Sequence, residues 1–197
     1  MTLSQALQNM MWLSLPVAGY ACTVRWRYAL ASSEILNRLG LTGGNPRAYL
    51  IALATAMPLS VVTFWITSWT SNFKGSAIAP FVGASPTPEI IARAFYYGLF
   101  ATGFPEELLF RGLIAGALFR RFTLWKANLG QAAIFLIPHL IILVVAPRLW
   151  PLVIFAPLVL GMAAGWLRHT SGSIWPAVII HGVPNAVGAL GVMNWRR

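Results

Sequence analysis

Aspartate is absent from this 197-residue sequence, and four glutamates carry all of its side-chain negative charge. Only 9% of residues are charged and 58% are hydrophobic. That excludes an ordinary soluble domain, in which about a quarter of residues are charged. Cysteine occurs once, at Cys22. A lone cysteine rules out an internal disulfide and leaves the redox compartment open. Cys22 sits in an apolar run and is expected to fill core. No HExxH stretch is present, which removes the usual helical template of a zinc hydrolase. Residues 1–10 lack Lys and Arg, so the basic start of a signal peptide is missing. The first apolar run is therefore expected to be a retained span.

The formal net charge is +10. Its basic residues cluster between apolar runs, as the positive-inside rule predicts for membrane proteins. No basic stripe interleaved with polar surface exists, so nucleic acid is not an expected partner. A membrane span needs about 20 apolar residues. Candidates lie at about 9–24, with Pro16 inside, at 48–69, at 129–146, at 150–167 and at 174–192. Between them, residues 89–119 read as one long helix bent at Pro105, or as two shorter helices. The stretch 70–88 is rich in Ser, Gly and Pro and reads as a loop. The expected fold is all-α: a polytopic transmembrane bundle of about six spans, with bent helices around a polar intramembrane cavity.

Trp65, Trp69, Trp150, Trp166, Trp175 and Trp195 fall at span ends, as in an aromatic belt. Gly112 with Gly116, and Gly161 with Gly165, make small-xxx-small faces suited to close helix packing. Arg25, Arg27, Arg38, Arg47, Arg120, Arg121, Lys126 and Arg168 fall on one side of the membrane. Lys74, Arg148, Arg196 and Arg197 fall on the other. The larger group marks the cytoplasmic side and puts the N-terminus outside.

The chemistry-bearing residues lie in three apolar stretches. Two adjacent carboxylates and an arginine occupy GFPEELLFR, residues 103–111. Ionisable groups at membrane depth cost roughly 2.5–3.5 kcal/mol each and mark functional sites. Glu107 and Arg111 are four apart, on one helical face, and can pair. Glu106 is five from Arg111 and points elsewhere, so it stays unpaired. Two adjacent carboxyls in different surroundings can take different roles. FLIPH ends at His139, and HGVPN holds His181 and Asn185 four apart, able to face one cavity. His169 follows Arg168 at a span end and reads as an interface residue. Taken singly, these residues suit a buried ion pair and interhelical hydrogen bonds. Taken together, they put polar groups at depth on three separate spans. Pro105, Pro138 and Pro184 each precede one of them, and each frees a backbone carbonyl one turn earlier. Freed backbone is tolerated at depth where protein or a wet cavity satisfies it. The prolines are therefore expected to splay the helices around a hydrated pocket.

EELLFR, FLIPH and HGVPN, in this order on three apolar helices, resemble the motifs of the CAAX-protease and bacteriocin-processing family. These are glutamate-type intramembrane endopeptidases with a Glu-Glu-xxx-Arg, Phe-xxx-His, His-xxx-Asn pattern. The resemblance covers about residues 89–192. It implies that Glu106 is the general base, that His139 holds the water, and that His181 and Asn185 stabilise the oxyanion. Glu107, Arg111 and Phe135 would support them. It also implies a membrane-associated peptide or protein substrate, such as a prenylated CAAX tail or a bacteriocin leader, in a prokaryotic plasma membrane. Residues 1–87 would form an N-terminal membrane region of about two spans and a loop, and 88–197 a catalytic core of about four. No cofactor is expected. Three rivals stand beside this reading. Two Glu and two His could hold a divalent metal such as zinc. The chain could be a non-catalytic immunity factor or a subunit of a larger membrane complex. Glu and His chains also mark ion paths.

Overall fold

The structure is a computed structural model that describes residues 3–69, 77–145, 147 and 150–194. Lys74, Arg148, Trp195, Arg196 and Arg197, together with residues 70–76 of the expected 70–88 loop, lie outside the described residues. Among the described residues the chain is helical, without strands. We number the helices α1 (Leu3–Tyr28), α2 (Ser32–Arg38), α3 (Pro46–Trp69), α4 (88–119), α5 (Leu124–His139), α6 (Ile142–Val145), α7 (Trp150–Ser171) and α8 (Trp175–Gly191).

Hydrogen bonds at both ends fix the up-and-down arrangement. At one end Asn45 N donates to Ser171 O (3.1 Å) and Ile174 N to Gly40 O (2.9 Å). Ser173 Oγ adds a bond to Thr42 O at 2.6 Å. At the other end Gly83 N donates to Val192 O, and Asn194 N to Ala84 O, both at 3.0 Å. Thus α1, α4 and α7 run towards the first end, while α3, α5 and α8 run away from it. All eight basic residues of the larger group fall at that first end, which we call the arginine end.

The spans expected from sequence match helices, with differences at their edges. Three described helical stretches are long and apolar enough to cross a membrane: Pro46–Trp69, Leu124–Val144 and Val153–Ser171. The helices richest in site residues are the less regular ones. Helix α8 has 17 residues, and α4 changes pitch four times along its length. The short helix α2, not expected from sequence, docks Ile35 and its C-cap residue Leu39 into a core with Val17, Val24, Leu108 and Ile174.

Helix α3 shows why the exterior is lipid-like. Its inward face is a ladder of small residues at four-residue spacing: Ala48, Ala52, Ala56 and Ser60. Ala48 and Ala52 pack with Ala164, Leu167, Ala177 and Ile180 of α7 and α8. Its outward face carries Leu50, Met57, Val61 and Trp65, all exposed. Small residues inward and large apolar ones outward invert the pattern of a soluble helix, as membrane packing requires. Two expectations are corrected here. Cys22 is exposed on α1 and does not fill core. Trp175 is turned inward in part, its ring stacked 5.4 Å from that of Phe104; Trp65, Trp69, Trp150 and Trp166 are exposed, as a belt requires.

The glycine faces work as expected. A Cβ on Gly161 would lie 3.0 Å from the Cβ of Ala132, and one on Gly165 would overlap Asn128 Oδ1. These contacts seat α7 on α5, where Gln131 Nε2 donates to Gly161 O at 2.7 Å. On α4, a Cβ on Gly112 or Gly116 would press on the carbonyls of Leu39 and Arg38.

Candidate active site

Helix α4 positions the centre. Thr87 caps it, its Oγ1 accepting from Ile90 N at 3.3 Å, and Pro88 opens the first turn. Two π-helical stretches, Tyr97–Gly103 and Leu108–Ala115, flank one α-helical turn, Phe104–Glu107. The helix neither breaks nor stops at Pro105. The wider pitch absorbs the proline instead, and the carbonyl of Ala101, four residues before it, accepts from Asn9 Nδ2 of α1 at 2.9 Å. π-Turns of this kind recur at functional sites because they rotate the following side chains.

Glu107 is completely buried and bonded through one oxygen; its Oε2 has no hydrogen-bond partner among the described residues. Its Oε1 accepts from Arg111 Nη1 at 2.9 Å and from His181 Nδ1 at 2.7 Å. Arg111 is equally buried, with its guanidinium carbon 4.1 Å from the centre of the Phe135 ring. Phe135 also touches His139 (4.7 Å between ring centres), Phe110 (5.0 Å) and His181 (5.8 Å). One aromatic ring thus fixes three polar side chains from three helices.

Glu106 is placed differently. Its side chain is 23% exposed, and its Oε2 approaches His181 Nε2 at 3.8 Å. One water can sit within hydrogen-bond reach of both atoms. A cavity of about 300 Å³ opens before it, lined by Asn9, Leu13, Phe110, Pro138 and His139 among others. His139 is the last residue of α5, and its Nδ1 donates to Phe135 O at 2.8 Å. A carbonyl can only accept, so Nδ1 holds the proton and Nε2 is left as an acceptor.

Asn185 lines a second cavity, of about 260 Å³, together with His139, His181, Pro157 and Pro184. Its Nδ2 donates to Thr102 Oγ1 at 3.2 Å, and that hydroxyl in turn donates to Gly98 O at 3.0 Å. One amide hydrogen of Asn185 is left over. The single chamber expected from sequence is therefore two cavities. They share His139, and the approach of Glu106 to His181 links their polar edges. Pro138 and Pro184 line these cavities as expected; Pro105 is buried behind them.

Close backbone approach makes this meeting possible. A Cβ on Gly182 would lie 2.8 Å from Gly98 O, and one on Gly103 would lie 3.2 Å from Gly182 Cα. These glycines let α8 lie against the π stretch of α4, which brings His181 to Glu107 and Asn185 to Thr102. Sequence reasoning missed Thr102, Asn9 and the Gly98–Gly103–Gly182 contact. The signal was Gly98 and Gly103 at a spacing of five, invisible to a search for spacings of four.

Among the described residues, no three His, Cys, Asp or Glu side chains are disposed to hold a metal ion.

A bundle of apolar helices with a carboxylate, two imidazoles and an amide gathered inside it defines a membrane protein with a polar intramembrane centre. The model of type II CAAX prenyl endopeptidases, Rce1-like, matches residues 88–187, and the chain belongs to that family of CAAX-type membrane proteases. The match takes in all seven site residues expected from sequence, and Thr102. It leaves out α1, α2 and α3. No curated protein and no solved structure matches the chain.

Proposed function

We propose that this protein is an intramembrane endopeptidase that hydrolyses a peptide bond by water activated at Glu106. The observation that carries the reading is the division of labour between adjacent carboxylates. Glu107 is wholly buried and tied through Oε1 to Arg111 and His181, whereas Glu106 is partly exposed and faces a cavity with an imidazole nitrogen 3.8 Å away. A general base needs such a free acceptor within reach of its proton source, directly or through one water.

In the first step a water held between Glu106 and His139 Nε2 attacks the scissile carbonyl, and Glu106 takes its proton. The remaining amide hydrogen of Asn185 and, in its imidazolium form, His181 Nε2–H donate to the oxyanion. In the second step Glu106 returns the proton to the departing amine, the C–N bond breaks, and the new carboxyl keeps the water's oxygen. Glu107, held by Arg111, keeps the proton of His181 on Nδ1 and fixes the ring. Phe135 covers Arg111 and excludes water from that pair. Preorganised donors of this kind act most strongly in a dry, low-dielectric site.

The substrate class follows from the walls. Apart from their polar edges, both cavities are apolar and sit among helices whose outer faces suit lipid. A hydrophobic C-terminal peptide fits them, prenylated CAAX tail or bacteriocin-type leader alike. The eight basic residues at one end support a cytoplasmic placement of that end, with the start of α1 outside, in what we take to be a prokaryotic plasma membrane. The test is mass spectrometry of cleavage products in cells carrying the wild type or Glu106→Gln. Products present in the first and missing in the second support the reading. The same products in both overturn it and leave an immunity factor or complex subunit as the function. Activity that survives chelation separates this mechanism from a zinc-dependent one.

A further inference from the structure

A third cavity, of about 230 Å³, lies at the arginine end, away from both cavities of the candidate site. Asn37 and Arg38 of α2, Phe119 and Arg120 at the end of α4, and Arg168 and His169 of α7 line it. At about 30 Å³ per water, its volume equals roughly eight waters. That is room for a phosphate group and part of its ester arm.

Three arginines on helix ends have a simple explanation, namely capping of the final carbonyls. It accounts for part of the cluster. Arg168 Nη2 donates to Arg38 O at 3.0 Å and so caps α2. Gly40, with φ of +67°, provides the tight turn under which the Arg168 side chain lies. Arg38 is paired with Glu34 at 2.9 Å. The explanation then runs out. Among the described residues, Arg120 reaches only the Tyr20 hydroxyl, at 3.4 Å. Arg168 is 8% exposed, and its buried Nε has no hydrogen-bond partner. Nor can a carboxylate be recruited from nearby. The sequence has four acidic residues, and Glu34 is the one at this end, against eight basic ones. Of the three arginines that wall the cavity, Arg38 has a carboxylate partner, and among the described residues Arg120 and Arg168 have none.

We infer that this cavity binds the phosphate of an anionic phospholipid from the leaflet at the arginine end. Guanidinium forks match phosphate oxygens in geometry and charge. Basic pockets between transmembrane helices on the cytoplasmic side suit anionic headgroups. The surroundings favour a lipid over a free ion: Trp26, Phe122, Trp125 and Trp166, all at the same end, are exposed, as residues at headgroup level are. The inference is independent of the peptidase reading. It gives the enzyme a lipid joining α2, α4 and α7 at the end where α2 seats on α4.

The experiment is native mass spectrometry of the full chain released from vesicles of equimolar phosphatidylglycerol and phosphatidylcholine. The wild type should retain phosphatidylglycerol preferentially. Arg120→Gln should retain about fivefold less, on the order of the net contribution of one lost hydrogen bond to the phosphate. Arg120 is exposed, so the fold should survive, and a thermal midpoint checks it. Arg121→Gln is the matched control, because Arg121 is exposed and does not line the cavity. It should retain lipid as the wild type does. Equal retention by wild type and Arg120→Gln overturns the site. So does equal loss in both variants, which means diffuse surface attraction. In a second arm, inorganic phosphate is added to the detergent-solubilised, lipid-stripped protein. A thermal shift as large as that given by phosphatidylglycerol overturns the lipid as ligand; a smaller one supports it.

Discussion

Residues 3–69 and residues 88–187 build one bundle by different means. The first region packs through small side chains, most plainly the Ala48–Ala52–Ala56–Ser60 ladder of α3. The second packs through bare backbone and buried polar groups: Gly98 against Gly182, and Glu107 against Arg111 and His181. The family match falls on the second region alone. The difference teaches where precision is held. Small-residue packing tolerates adjustment, because it fixes only how near two helices lie. The Glu107 triad fixes which atoms meet, since each bond needs a donor and an acceptor in register. Yet the regions are not separable in space. Asn9 of α1 takes the carbonyl that Pro105 frees, and Leu59 and Thr63 of α3 help line the cavity of Asn185.

The largest stability effect is expected where the polar packing is densest. Glu107→Ala leaves Arg111 buried without its carboxylate, and loss of one partner of a buried pair typically costs about 3–5 kcal/mol. Detergent-solubilised protein should lose its thermal transition or show it far lower. A change within experimental scatter would mean that the triad is not what holds α8 to α4. Next in size is Asn185→Ala. This variant should fold, and its kcat should drop about 10²–10³-fold with little change in KM, as for loss of an oxyanion donor. A KM effect alone would make Asn185 a substrate-binding residue. Gly98→Val comes third. Its side chain must displace Gly182 O and Ala186, and overpacking commonly costs about 1–3 kcal/mol. Activity should fall more than stability, since the shift separates Asn185 from Thr102. The smallest effect tests the other region. Met57→Leu on the outward face of α3 should change the midpoint by less than about 0.5 kcal/mol equivalent, while Ala52→Leu on the ladder should lower it clearly. If both were silent, the inward face assigned to α3 would be wrong.

Much of this was legible in the sequence because membranes punish polar groups. Glu106, Glu107, Arg111, His139, His181 and Asn185 stood out against apolar surroundings, and the Glu107–Arg111 spacing forecast their bond. What was not legible depends on backbone pitch. Helical spacing of 3.6 residues cannot forecast that Thr102 faces Asn185, because that depends on π-turns before and after Glu106. Asn9 lies about a hundred residues from Ala101, with nothing in its own neighbourhood to mark it. His181 lines one cavity with Asn185, but the spacing of those two residues could not forecast that its Nδ1 binds Glu107 and its Nε2 turns to Glu106. Cys22 shows a further limit. An apolar run says that a residue is in the membrane, not whether it faces protein or lipid.

The central claim is that one carboxylate of the adjacent pair is free to act as base. Its most direct measurement is single-turnover cleavage of a farnesylated CAAX peptide by the purified chain in proteoliposomes, with Glu106→Gln beside the wild type. The account predicts that Glu106→Gln keeps the wild-type thermal midpoint and loses at least about 10²–10⁴-fold in rate, the range for removal of a general base. A folded Glu106→Gln that cleaves at the wild-type rate would contradict it.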